Sequence, residues 1–301
     1  MPTPYDSKEF FELLKWRQKT NSQLLEVSNC ISSWTDICGF GSLLEQNKWS
    51  LENLQSSGVV ALLNEFHLIA GQPLLINIDP FPHDKIIVLN DGIARTVDLT
   101  HKSKIDSYSF LMFLRNLIFT HYSLLTVTSK YKVGIRTILA GGERIQYSPA
   151  YTTGHSVLYY NEGKINDFGK ELLSTTFVYN PAEFQMNTAF AKAYTIDSLG
   201  TKKHIRVNGF YIESEFLEKI DGLNGVTFTK EEKSIKFFHK GILVFDLIIA
   251  DTLQHNLKGL EVTIYHIHKY LIHKAFDGDD LEFDLYTVDS ETDKHTFPFP
   301  G

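Results

Sequence analysis

The stretch Lys85-Ile86-Ile87-Val88-Leu89-Asn90-Asp91-Gly92-Ile93-Ala94-Arg95-Thr96-Val97 decides the fold class. Two β-leaning apolar runs flank Asn90-Asp91-Gly92, and Asn or Asp before Gly is a strong hairpin signal. The pattern predicts paired strands over 85–90 and 92–99. A helix is expected before it, over 50–70, where Leu51, Leu54, Val59, Leu62, Leu63, Phe66 and Ile69 recur near helical spacing and Gly71 ends the run. Another is expected after it, over 107–122. A hairpin set between helices excludes a purely parallel doubly wound sheet. The expected class is α+β, a mixed β-sheet with helices on one face.

Working outward, residues 30–38 read as a strand that ends in Trp34-Thr35-Asp36-Ile37-Cys38-Gly39-Phe40. Residues 7–27 read as an amphipathic helix that Ser7 can cap. The segment 72–83, with Pro73, Pro80 and Pro82, reads as irregular. Downstream we expect a strand over 131–140 broken by Gly141-Gly142, and a short strand over 157–160. A helix should run from Pro181 to about Ile196, since Pro suits a first turn. Further strands are expected at 204–212 and within 256–268. No internal repeat stands out. The expected organisation is one domain over 30–268, a helical extension over 1–29 and an acidic, irregular tail over 269–301.

The chain has 301 residues, 43% hydrophobic and 22% charged, so it can bury a core and disorder is not the default. Its net charge is −7 and no basic stripe is visible, which argues against a nucleic-acid partner. Cys30 and Cys38 fit neither a zinc pattern nor a disulfide framework, and read as buried small hydrophobes. The N-terminus lacks the basic start and apolar stretch of a signal peptide. No apolar run reaches the roughly 18 to 20 residues that span a bilayer. A cytoplasmic protein without membrane insertion is expected.

Chemistry concentrates at two acidic turns. Asp36 and Asp91 each follow a β-leaning run, with Gly close behind. Carboxylates exposed at strand ends can share a hard cation, and such a pair is what two-metal phosphoryl transfer requires. The plain alternatives are a helix N-cap for Asp36 and a turn former for Asp91. Other constellations are weaker. His266, His268 and His273 lack an acidic or thiol partner at a useful spacing. Asp277-Gly278-Asp279-Asp280 lacks the spacing and closing Glu of a calcium loop. No phosphate-loop or nucleophile-elbow pattern is present.

Three further segments follow the acidic turns in order: Val133-Gly134-Ile135-Arg136-Thr137, Gln185-Met186-Asn187-Thr188-Ala189, and Leu257-Lys258-Gly259-Leu260-Glu261-Val262-Thr263-Ile264-Tyr265. With the turns, they resemble the class III nucleotidyl cyclase domain over about residues 30–268. The resemblance implies a ferredoxin-like core and a homodimer with active sites between the protomers. It implies two divalent metal ions, Mg²⁺ or Mn²⁺, held by Asp36, Asp91 and the Ile37 carbonyl. Gly39 and Gly41 would let the backbone approach phosphate, with Phe40 beside them. Asn187 would position the ribose and Lys258 would contact phosphate.

Departures from the family pattern are informative. The transition-state Arg expected four residues after Asn187 is Ala191; Lys192 follows and is the first candidate cation, with Arg136 and Lys170 behind it. The two base-reading positions hold Ile87 and Asn180. An aliphatic residue makes no polar contact, while an Asn amide both donates and accepts and suits a pyrimidine edge. Neither purine pattern is present. The chain is thus most similar to the pyrimidine cyclases of bacterial Pycsar anti-phage defence. That implies cyclic CMP or cyclic UMP made from CTP or UTP, and a separate effector that responds to it. A purine cyclase and a nucleotide sensor without turnover are the alternatives.

Overall fold

Strand β1 (Val27–Cys38) is the spine of the molecule, pairing antiparallel with a neighbour on each side. The structure is a computed structural model, and it describes residues 8–71, 81, 83–100, 102–147 and 181–286, without the side chains of 8–13. The predicted strand at 157–160 and the candidates Lys170 and Asn180 lie outside the described residues.

The predicted hairpin forms as β2 (Asp84–Leu89) and β3 (Gly92–Asp98), with Leu89 opposite Gly92, so Asn90 and Asp91 alone make the turn. Asn90 takes the positive φ of 51° that the turn needs. β3 lies on one side of β1 and β4 (Gly134–Ile145) on the other. The four strands stand in the order β2-β3-β1-β4. Helices enter between β1 and β2: α2 (Phe40–Gln46), α3 (Leu51–Ser56) and α4 (Val59–Gly71). One helix, α5 (Ser107–Lys130), joins β3 to β4. This is the split β-α-β arrangement of a ferredoxin-like core, and the mixed α+β class is as expected.

The sheet then extends. β5 (Phe210–Glu213) joins β4 as the sheet's parallel pair. Beyond it stand β9 (Leu260–Ile272), β8 (Ile242–Leu257), β7 (Ser234–His239) and β6 (Val226–Lys230), an antiparallel meander that completes the far side of a ten-stranded sheet. β10 (Leu281–Asp284) pairs with the end of β9, so part of the segment expected to be an irregular tail is sheet.

Several boundaries differ from expectation. The first helix, α1 (Lys8–Asn21), stops six residues early, and β1 starts at Val27. α5 continues eight residues beyond the expected end. Thr126, Val127 and Thr128 are poor helix formers, but Leu124 and Leu125 are buried on the sheet and tertiary packing decides. By length and composition α5 could cross a membrane, yet 67% of its apolar window is buried inside the fold. Gly141-Gly142 does not break β4. The two residues face opposite ways, and a Cβ on Gly141 would lie 2.2 Å from the Glu215 carbonyl oxygen, while one on Gly142 would lie 2.6 Å from the Ala189 nitrogen. Glycine there admits a helix on each face. Pro181 opens only a single 3-10 turn, Ala182–Phe184; the helix proper, α6, runs Thr188–Leu199.

Helices therefore cover both faces of the sheet, not one. On the first face, α5 and α7 (Ser214–Ile220) bury Phe110, Leu114, Ile118, Phe216 and Leu217 with Ile31, Val97 and Leu139. α4 adds Leu62 and Phe66 around Ile37 and Ile93. On the second face α6 packs Ala193 and Ile196 against Trp34, Ala94, Ile138 and Ala140. Odd and even residues of β1 and β4 divide between these faces, as a period of two requires.

Candidate active site

Asp36 lies two residues before the end of β1, on the face that carries α6. The register sets it across from Gly92 on one side and Arg136 on the other. Asp91 sits in the β2–β3 turn just beyond. A main-chain bond of 3.0 Å, donated by the Ile37 N–H to the Asp91 carbonyl, ties the strand end to the hairpin turn. The His67 Nε2 of α4 donates to the Asn90 carbonyl at 2.5 Å, fixing the turn from the other side. The structure thus brings together Asp36, Ile37 and Asp91, the three predicted metal ligands. Gly39 follows with a φ of 93°, a left-handed conformation that glycine takes without strain, and it caps α2. Gly41 has open space around its Cα. The Phe40 side chain is 3% exposed and belongs to the core, so only its backbone faces this region.

The Asp36 carboxylate has no hydrogen-bond or ion-pair partner among the described residues. Burial first, then the negative charges of Asp197 and Asp91, push its pKa up to about 7, while the Arg136 guanidinium opposes the rise. Burial also raises Asp91, helped by Asp197 and countered by a hydrogen bond from Asp91's own backbone. Two carboxylates raised by burial and by the charge of Asp197, with no cation bonded to them among the described residues, are an incomplete electrostatic unit. Hard oxygen donors at a strand end and a turn suit Mg²⁺ or Mn²⁺, with water and phosphate oxygens completing the shell. Among the described residues no three His, Cys, Asp or Glu side chains form a metal-holding group by themselves.

Asp197, in the last turn of α6, was not singled out from the sequence. Its Oδ1 accepts from Arg136 Nη1 at 2.5 Å, and its Oδ2 accepts from Trp34 Nε1 at 3.3 Å. Arg136 also donates through Nη1 to the Asp197 carbonyl (3.0 Å) and through Nε to the Arg206 carbonyl (3.1 Å). Arg136 is therefore near Asp36 but is bonded to α6 and the loop after it.

The remaining candidates stand elsewhere. Asn187 is the N-cap of α6, at the opposite end of β1, and is 6% exposed. Its Oδ1 accepts the Phe190 N–H at 2.8 Å, and its Nδ2 donates to Thr96 Oγ1 (2.9 Å) and the Glu183 carbonyl (3.0 Å). Lys192 is 7% exposed, with its Nζ 3.1 Å from Glu213 Oε2 and paired with Glu215 as well. This network locks α6 to β5 and α7. Lys258 is exposed in the two-residue β8–β9 turn, with a φ of 53°. Ile87 is half-buried on β2 beside the Trp34 cluster. The three histidines stay apart in role: His266 stacks on Tyr211 with centroids 4.8 Å apart, while His273 Nε2 lies 3.3 Å from Asp246 Oδ2.

No protein-family model matches the chain, and no curated protein matches it. Among solved structures it is similar to the guanylyl cyclase Cya2, at 13% identity over 81% of this chain and 93% of that one, with a TM-score of 0.44. It is similar to the guanylate cyclase domain of RhGC from Catenaria anguillulae in complex with GTP, at 10% identity, 80% and 97% coverage and a TM-score of 0.41. A bacterial light-regulated adenylyl cyclase matches at 10% identity over 86% of this chain and 64% of that one, with a TM-score of 0.42.

Proposed function

We propose that the chain is a nucleotidyl cyclase that converts a nucleoside triphosphate to its 3′,5′-cyclic monophosphate and pyrophosphate. The observation that carries this reading is the pair Asp36 and Asp91. They are joined through the Ile37–Asp91 main-chain bond, without a bonded cation among the described residues, and raised in pKa by burial and by neighbouring carboxylates. Bound divalent metal would supply the charge to lower the pKa of the attacking 3′-hydroxyl and to neutralise the triphosphate. Asp36, Asp91 and the Ile37 carbonyl would hold it. The backbone at Gly39 and Gly41 lets phosphate come close at the start of α2. Catalysis would then rest on positioning and charge stabilisation.

The substrate we propose is CTP or UTP. Ile87 brings no polar group to a base edge from β2, and Asn180 is the amide proposed to read a pyrimidine; this rests on the sequence resemblance. The product would serve as a second messenger in anti-phage defence, sensed by a separate effector. A homodimer is proposed on the same resemblance, in which Lys258, exposed at the β8–β9 turn, would contact phosphate and Asn187 and Lys192 would be further residues of that half-site. One observation favours a second reading, a nucleotide-binding module without turnover: the side chains of Asn187 and Lys192 are already engaged in caps and ion pairs.

Incubation with Mn²⁺ and each of ATP, GTP, CTP and UTP, with products read by mass, tests the proposal. Cyclic CMP or cyclic UMP is the expected product. Cyclic AMP or cyclic GMP would refute the base assignment alone. Saturable triphosphate binding with no product would favour the second reading.

A further inference from the structure

Cross-strand partners of opposite charge on one face normally pair, and an Arg fork opposite a carboxylate pairs bidentately. Arg136 stands directly across from Asp36 in the β1–β4 register, on the same face, and makes no hydrogen bond to it. Its donors turn instead to the end of α6: Nη1 to Asp197 Oδ1 at 2.5 Å and to the Asp197 carbonyl at 3.0 Å. Nε goes to the Arg206 carbonyl at 3.1 Å. The last turn of a helix favours a cation through its unpaired carbonyls. Asp197 is itself oriented by the Trp34 Nε1 donor, two residues before Asp36 on the same strand face.

We propose that Asp197 is a positioning residue of the metal site: by holding the Arg136 guanidinium against α6, it keeps Asp36 open to a divalent cation. The inference rests on the metal reading above and assigns a residue that reading does not use. Without the Asp197 carboxylate, the guanidinium gains its best alternative partner in Asp36, and a metal ion must then displace a bonded cation. The groups facing Asp36 are consistent with this division. Asp91 lies beyond the strand end, Arg136 across the ladder and Asp197 over it, and Arg136 is the cation among the charges that act on Asp36. Asp197 is already bonded through both carboxylate oxygens, which leaves it poorly placed to serve as a ligand itself.

The test is Mn²⁺ binding to the full chain at pH 8, read by the electron paramagnetic resonance of free Mn²⁺. Asp197→Asn keeps the shape and removes the charge. Its apparent Kd should rise about tenfold, the size of effect expected when a unit charge near a partly buried cation site changes. Adding Arg136→Gln to that variant should restore affinity to within about threefold of the parent. A role confined to stability would lower the unfolding midpoint and leave Kd unchanged, which would overturn the inference. Weakened binding that Arg136→Gln does not relieve would also overturn it, by making Asp197 a direct ligand. Should Asp197→Asn fail to fold, Arg136→Gln alone decides: unchanged or tighter Mn²⁺ binding supports the inference, and a tenfold loss contradicts it. Absence of saturable Mn²⁺ binding by the parent chain overturns the metal reading itself, and so separates that failure from this one.

Discussion

The two ends of β1 carry polar clusters on the same face, and they differ in completeness. At one end Ser32, Thr96 and Asn187 bond to one another and to the start of α6, with Cys30 Sγ donating to Asn187 Oδ1 at 3.5 Å. Every donor of the Asn187 amide has an acceptor. At the other end, among the described residues, the Asp36 carboxylate has no bonded partner, Asp91 has its own backbone, and the nearby cation is turned toward Asp197. A satisfied buried network specifies the packing of a helix on a sheet. An unsatisfied pair of carboxylates stores electrostatic cost that a ligand can relieve. The difference separates architecture from chemistry within a single strand.

The comparison breaks most visibly if the Asp36 end is altered. Asp36→Asn or Asp91→Asn should lower cyclic-nucleotide formation by about a thousandfold or more, near 4 kcal/mol of transition-state stabilisation. Circular dichroism should show the fold retained, because neither carboxylate bonds to the core. A next-largest effect belongs to the helix that spans the two ends. Lys192→Met leaves Glu213, at 2% exposure, without its cation and Glu215 with Lys219 alone, and should cost about 3 kcal/mol of stability in a urea titration. Asn187→Ala removes the α6 cap and the amide donors to the Thr96 hydroxyl and the Glu183 carbonyl, for about 2 kcal/mol. Mn²⁺ affinity should be unchanged in this variant, which sharpens the contrast between the ends.

A pH dependence sharpens the contrast further. Asp36 is raised from 3.8 to about 7, so the folded chain keeps a proton that the unfolded chain has released across that window. The stability this proton confers is fully present below the ordinary carboxylate value and is lost as pH rises through about 7. Asp36→Asn should flatten that slope. Metal requires the carboxylate form, so Mn²⁺ affinity should fall up to about tenfold for each pH unit below 7 in the parent chain. A pH-independent affinity over pH 5–7 would remove Asp36 from the site.

Much of the core was legible in the sequence because it is local. Asn90-Asp91-Gly92 marks the hairpin, and the apolar runs mark β1, β4 and the start of α5. What escaped depends on contacts between distant segments. Gly141-Gly142 resembles a strand break until α6 and α7 are seen pressing on its two faces. The meander of β6, β7 and β8 carries Thr227, Thr229, Lys230, Asp251 and Thr252 on exposed positions and gives a weak alternating signal. The acidic turns were legible as a pair, and the register places them together. Asp197 was not, since its link to Asp36 depends on the length of α6. Ten residues separate it from the Asn187 cap, about 15 Å of helix, which carries it from one end of β1 to the other. The pattern that could have found it is the joint presence of Arg136 beside the first acidic turn and an Asp in a helix expected to cross that strand.

The measurement that tests the central claim most directly compares product formation by the parent chain, Asp36→Asn and Asp91→Asn under Mn²⁺, with cyclic monophosphate and pyrophosphate quantified together. The account predicts both products in equal amounts from the parent and neither from the variants, with all three chains folded. Equal product from parent and variants would contradict it, because the open carboxylates at the end of β1 would then have no part in the chemistry.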